Sequence, residues 1–243
     1  GNFDECQNFV KLMFADNEFS KSIKMSGVNS INWSRIVAQI VYYFFSYFRI
    51  AKDGEKINFS VPTGNFGDIY AGYVAKKMGL PINKLIIATN NNDILTRVFN
   101  TGIYKPLKVK HTISPSMDIQ VASNFERLIF DICSCDSNET LKLMNNLIQH
   151  GEFKLKKESL SKIHESFCSE SVSEEETKSV IKKIYNKEKI LIDPHTAVGI
   201  GALNKIFLQE DVVVLGTADP SKFSDIVMKE TGVEAELPGN LKK

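Results

Sequence analysis

The sequence has 243 residues, 43% of them hydrophobic, 24% charged and 10% aromatic, with a formal net charge of +1. A chain of this length buries a large core without disulfide staples, and its near-neutral balance lacks the clustered basic charge of a nucleic-acid-binding protein. The cysteines (Cys6, Cys133, Cys135, Cys168) form no CxxC pair and the histidines (His111, His150, His164, His195) fall at no zinc-ligand spacing, so free thiols in a reducing, cytoplasmic setting and no metal are expected.

The chain opens at Gly1 without a methionine, a basic n-region or a signal-like apolar run. It reads as the interior of a longer polypeptide, with residues 1–30 the remnant of a preceding small or N-terminal domain and residues 31–243 one large α/β domain. Residues 31–49 are strongly apolar, but only thirteen residues separate Arg35 from Arg49 and Gln39 interrupts them. That is too short to cross about 30 Å of hydrocarbon. Trp33, Ile36, Val37, Ile40, Val41, Phe44, Phe45 and Phe48 recur at helical spacing, which predicts a buried core helix and no membrane association.

Short apolar runs then alternate with helical periods. Residues 56–61 read as a strand, 63–67 as a Gly-rich turn, and 69–78 as a helix closed by Gly79 and Pro81. Residues 85–88 form the next strand and 93–99 the next helix. Strand, turn, helix and strand make a βαβ unit, so a mostly parallel sheet covered by helices is expected. Helices follow at 124–133 and 139–150, the second stopped by Gly151. Ser173 to Glu176 is a capping box opening a helix to about residue 186, with Val180, Ile181 and Ile184 inward. Residues 189–192 read as strand, 196–207 as helix, 211–215 as the last strand and 223–231 as the last helix. The Lys-rich tracts at 154–157 and 182–189 alternate with other residues as solvated faces do.

The strongest local signal is Pro62-Thr-Gly-Asn-Phe-Gly-Asp68, between a strand and a helix. Backbone N–H groups at a helix N-terminus attract anions, and glycines let the backbone come close. The turn has neither the Walker ending nor the GxGxxG spacing; it fits a phosphate site and, equally, a plain strand-to-helix turn. Leu215 to Phe223 follows the last strand, where ligands of open α/β sheets gather, so the Thr217 hydroxyl either reaches the same crevice or caps the next helix. Asp193-Pro-His195 and Asn90 to Asp93 stand at further strand ends, with ordinary structural roles open to both.

Together these segments resemble the threonine synthase family. Residues 62–69 and 71–81 look like that family's segment for the phosphate of pyridoxal 5′-phosphate (PLP). Residues 1–7, 30–39, 89–95, 114–119, 193–199 and 217–223 are similar to family segments in the same order, so the resemblance covers nearly the whole chain. It implies the large domain of a PLP fold-type II enzyme, and a lyase of threonine biosynthesis that converts O-phospho-L-homoserine and water to L-threonine and phosphate. It also implies that Gly64, Asn65, Phe66 and Gly67 cradle the cofactor phosphate, Asn65 with its side chain, and that Thr217 bonds the pyridine nitrogen. The family's Schiff-base lysine lies in a Phe-Lys-Asp motif upstream of Gly1; that motif does not occur in this sequence. No catalytic residue is therefore assigned, and the chain alone is expected to be inactive. Asp219 replaces the histidine usual in the family. A small-molecule substrate, no nucleic-acid partner, and a monomer or dimer are expected. Two other readings stand beside this one: a threonine-synthase-like phospho-lyase, and a non-catalytic binding fragment of such a protein.

Overall fold

The computed structural model describes residues 3–25, 30–52 and 54–239. Strands β1 (Ile57–Pro62), β2 (Ile82–Thr89), β5 (Phe167–Ser171) and β6 (Val212–Val214) form one sheet in the order β5–β2–β1–β6, with every pairing parallel. Strands β3 (Ile103–Tyr104) and β4 (Phe153–Lys154) form a separate antiparallel pair. β1 is buried along its whole length, as a central parallel strand covered on both faces must be. Successive side chains point to opposite faces. Phe59, Val61, Leu85 and Ile87 enter the larger core, while Ile86 and Ala88 join Val198 and Ala202 on the other side.

The larger core is roofed by helices α3 (Trp33–Ile50), α4 (Gly67–Lys77) and α6 (Phe125–Ile132). α3 and α4 cross so closely that a Cβ on Gly72 would lie 2.5 Å from the Tyr43 ring. Tyr43 is fully buried there, and its hydroxyl donates to the Asp68 carbonyl at 2.8 Å. On the opposite face α10 (Pro194–Leu203) lies against β1 and β2, and the Ser60 hydroxyl donates to the Gly199 carbonyl at 2.7 Å. α9 (Glu174–Glu188) packs outside α10. Its capping box is present as expected, the Ser173 side chain accepting the Glu176 N–H and the Glu176 side chain accepting the Ser173 N–H. The remaining helices are α1 (Phe3–Ala15), α2 (Asn17–Ser22), α5 (Ile94–Thr101), α7 (Ser137–His150), α8 (Lys157–Ser166) and α11 (Ser224–Thr231).

Several expectations are corrected. α3 is not buried all round: Ile36, Tyr43 and Tyr47 face the core, whereas Val41, Phe45 and Phe48 are 59%, 60% and 74% exposed. The expected stripe is split: Ile36 is buried and Ile40 and Phe44 pack against the core beside Tyr43, for whose ring Gly72 leaves room, while the edge carrying Val41, Phe45 and Phe48 turns outward. Residues 189–192 are not a strand. Lys189 ends α9 in the left-handed conformation (φ 58°) and Asp193 already caps α10; the link joins two helices that pack on each other and has no strand to pair with. The strand at 167–171 carries only one large apolar residue and exists because β2 offers it a parallel partner. The helix expected over 196–207 starts at Pro194 and stops at Leu203. Among the described residues no helix is long and apolar enough to cross a membrane, and no group of three or more acidic, histidine or cysteine side chains is placed to hold a metal.

Candidate functional site

The chain leaves β1 through Thr63, whose N–H still donates to the Ala88 carbonyl at 2.8 Å. The turn that follows is fixed from inside. Phe66 is left-handed (φ 67°), a conformation costing a non-glycine residue on the order of 1 kcal/mol. Its ring is fully buried, with centroids 5.2 Å from Phe125 and 5.9 Å from Phe167, and burying a phenyl ring stabilises by roughly 2–3 kcal/mol. Burial wins, so the aromatic side chain holds the kink. The Asn65 carbonyl accepts the backbone and side-chain N–H groups of Asn124 at 3.0 and 3.2 Å. The Asn65 Oδ1 accepts the Gly67 N–H at 2.9 Å, closing the turn on itself.

The consequence is chemical. Among the described residues none accepts a hydrogen bond from the N–H of Gly64, Asn65 or Phe66. A left-handed residue in a turn ahead of a helix curls successive N–H groups into an anion-binding concavity, reinforced by the positive end of the helix. Gly64 is required for a different reason: a Cβ there would lie 2.9 Å from the Ser116 carbonyl oxygen and 3.2 Å from the Met117 Cα.

This turn forms one wall of a cleft of about 700 Å3 at the carboxyl ends of β1 and β6. Arg35, Gln39 and Tyr42 of α3 form a second wall, and Ser116 and Met117 of a short 3-10 turn (Pro115–Met117) a third. His195 and the segment Leu215 to Ala218 complete it. Such a position, outside the strand ends of an open α/β sheet, is where these folds bind ligands. Thr217 is exposed in the cleft beside the turn, so the structure brings both predicted loops together.

Two carboxyl groups near the cleft are perturbed in opposite directions. Burial pushes the Asp68 carboxyl up to about 6, with the Tyr43 hydroxyl donating against that rise. Burial also pushes Asp193 up, but hydrogen bonds from the His195 ring, the Thr196 hydroxyl and the His195 N–H prevail and hold it below the ordinary carboxylate range. Asp193 caps α10 by accepting the His195 N–H at 2.8 Å, and its Oδ1 lies 2.8 Å from the His195 Nδ1.

Other candidate residues are used elsewhere. Asp219 does not line the cleft; it caps the 3-10 turn Pro220–Phe223, accepting from the Ser221 N–H at 2.9 Å and hydroxyl at 2.6 Å. Asn90 and Asn92 belong to a buried network around Asp118, donating to its carboxylate at 2.9 and 3.0 Å. Lys76 bends back to the Asn83 carbonyl at 2.8 Å, and no lysine among the described residues lines the cleft. Arg35, Asp68 and Ser116 are cleft residues that local patterns did not single out; only the glycine at 64 hinted that another backbone approaches there.

Residues 196–243 match the family model described as threonine synthase, C-terminal. The threonine synthase of Saccharomyces cerevisiae is 46% identical over 248 aligned positions, covering 93% of this chain and 48% of that protein. The threonine synthase of Pseudomonas aeruginosa is 43% identical, covering 99% of this chain and 52% of that protein. The crystal structure of PLP-bound threonine synthase from Brucella melitensis superposes with a TM-score of 0.92 at 48% identity, over 99% of this chain and 52% of that one. The chain thus spans about half the length of the relatives it matches. In sequence and in fold, over that half, it belongs to the threonine synthase family.

Proposed function

We propose that this chain is the phosphate-holding part of a PLP-dependent threonine synthase, whose reaction converts O-phospho-L-homoserine and water to L-threonine and inorganic phosphate. The observation that carries this reading is the set of N–H groups on Gly64, Asn65 and Phe66 that have no acceptor among the described residues, in a turn whose Gly64 and Asn65 line the same cleft as Thr217. Those three groups suit a phosphate monoester; the Gly67 N–H, already given to Asn65, contributes through the turn's shape. Thr217 offers a neutral hydroxyl to the pyridine nitrogen, and Arg35 lines the same cleft with a permanent positive charge. Bound there, PLP supplies an electron sink for bond breaking beside an amino group; the residues of this chain bind, orient and shield it. The reacting amine and the base that moves protons are assigned to the part of the relatives' length outside this chain, since no lysine among the described residues lines the cleft.

PLP titration of the full-length polypeptide carrying this sequence tests the assignment. Gly64→Val drives a branched side chain into the Ser116 carbonyl, 2.9 Å from the new Cβ, and is expected to weaken binding tenfold or more, about 1.4 kcal/mol. An unchanged titration removes the turn from the site. The 243-residue chain alone, saturated with PLP, is expected to release phosphate from O-phosphohomoserine at the background rate, because positioning and proton transfer are together worth many powers of ten. Release near that of an intact enzyme, abolished by Lys222→Ala, would mean that the amine lies in this chain. Product analysis separates threonine formation from simple phosphate elimination.

A further inference from the structure

The least explained group beside the cleft is His195, which is only 3% exposed although it stands in the first turn of α10. Its two ring nitrogens are both used. Nδ1 lies 2.8 Å from the Asp193 Oδ1, and Nε2 accepts the Ser116 backbone N–H at 3.2 Å. An N–H donor facing Nε2 requires a lone pair there, so the proton sits on Nδ1 and the ring is neutral. Asp193 enforces that tautomer, because it is an acceptor held by the helix cap and by the Thr196 hydroxyl. The Phe223 ring, 4.9 Å away centroid to centroid, closes the remaining side.

What His195 holds is the segment that fixes the phosphate turn. The Ser116 carbonyl is the oxygen that a Cβ on Gly64 would strike at 2.9 Å. The other end of this 3-10 turn is tied to the residue that follows β2, the Asn90 amide donating to the Ser114 hydroxyl at 2.9 Å, and the turn closes on itself through the Met117 N–H, which the Ser114 carbonyl accepts at 3.0 Å. On the α10 side, among the described residues, the imidazole is the side chain that reaches Ser116. We infer that His195 is a positioning residue for the phosphate site: through the Ser116 N–H it sets how far the 115–117 turn presses on Gly64, and so the aim of the N–H groups of Gly64, Asn65 and Phe66. This rests on the reading of that turn as a phosphate cradle. The imidazole touches no reacting atom and transfers no proton.

Two substitutions separate this role from simple filling of space. His195→Gln places an acceptor near the former Nε2 but loses the contact with Asp193. His195→Asn keeps a donor near the former Nδ1 but cannot reach Ser116. The readout is the ratio of affinities for PLP and for pyridoxal, which lacks the phosphate, measured by equilibrium dialysis on the full-length polypeptide beside an unfolding curve. The wild-type protein is expected to prefer PLP, His195→Gln to keep that preference within about twofold, and His195→Asn to lose about tenfold of it. If both variants keep the preference, or both lose it equally, the inference is wrong while the cradle stands. If the wild-type protein shows no preference for the phosphorylated ligand, the cradle itself is wrong. Should His195→Asn fail to fold, the wild-type protein decides by NMR. The Ser116 amide resonance is expected to move when inorganic phosphate is added, and an unmoved resonance overturns the inference.

Discussion

Asp68→Asn gives the sharpest test of how the cleft is built. Asp68 stands at the start of α4, lines the cleft, and has its carboxyl pushed by burial from 3.8 up to about 6. Its folded state therefore holds the proton more tightly than the unfolded chain does. The favourable contribution is complete below the unfolded value of 3.8, shrinks as pH rises, and is gone above about 6. A shift of about two units corresponds to at most roughly 3 kcal/mol. The helix N-terminus, worth about 0.3–1 kcal/mol to a carboxylate, and the side chain's partial contact with solvent reduce this to about 1–2 kcal/mol. Asparagine mimics the neutral acid. The variant is expected to be more stable than wild type by about 1–2 kcal/mol near pH 7.5 and equal to it near pH 4. Urea unfolding at both pH values, with the m value checked for constancy, measures the difference directly. A variant less stable than wild type at the higher pH would refute the reasoning. Asp68 would then be an ion that the helix end and Tyr43 stabilise, not one that burial penalises.

Gly72→Ala places a methyl 2.5 Å from the Tyr43 ring and 2.8 Å from Leu85. The gain in helix propensity, about 1 kcal/mol, is outweighed by overpacking, and a net loss of about 1–3 kcal/mol is expected in urea unfolding; an unchanged midpoint would show that α3 slides freely over α4. Ser173→Ala removes one half of the capping box that starts α9; thermal or urea unfolding is expected to show a loss of about 1 kcal/mol, and no loss would mean that Glu176 alone holds that helix end.

Local chemistry was legible in the sequence wherever one residue carries its own geometric instruction. Ser173 with Glu176 announced a capping box, Gly151 ended α7 in the left-handed conformation, and the glycines of 62–68 marked a strand-to-helix turn; all three are where the spacing put them. The alternation of apolar runs with helical periods likewise specified a parallel α/β sheet, because such strands must be covered on both faces. Which edge of the α3 stripe is buried was not legible: Ile36, Ile40 and Phe44 go inward and Val37, Val41, Phe45 and Phe48 outward, because the gap left by Gly72 seats the Tyr43 ring on the first side. Phe167–Ser171 became a strand because β2 lay open beside it, a decision made across the whole intervening chain from residue 90 to residue 166. The site divides in the same way. The strand-to-helix turn proposed to hold phosphate could be located from the order of its residues along the chain. The tie from Asp193 through His195 and Ser116 to Gly64 joins three distant segments, and a one-dimensional pattern holds no record of which backbone N–H will face which ring nitrogen once the sheet has closed.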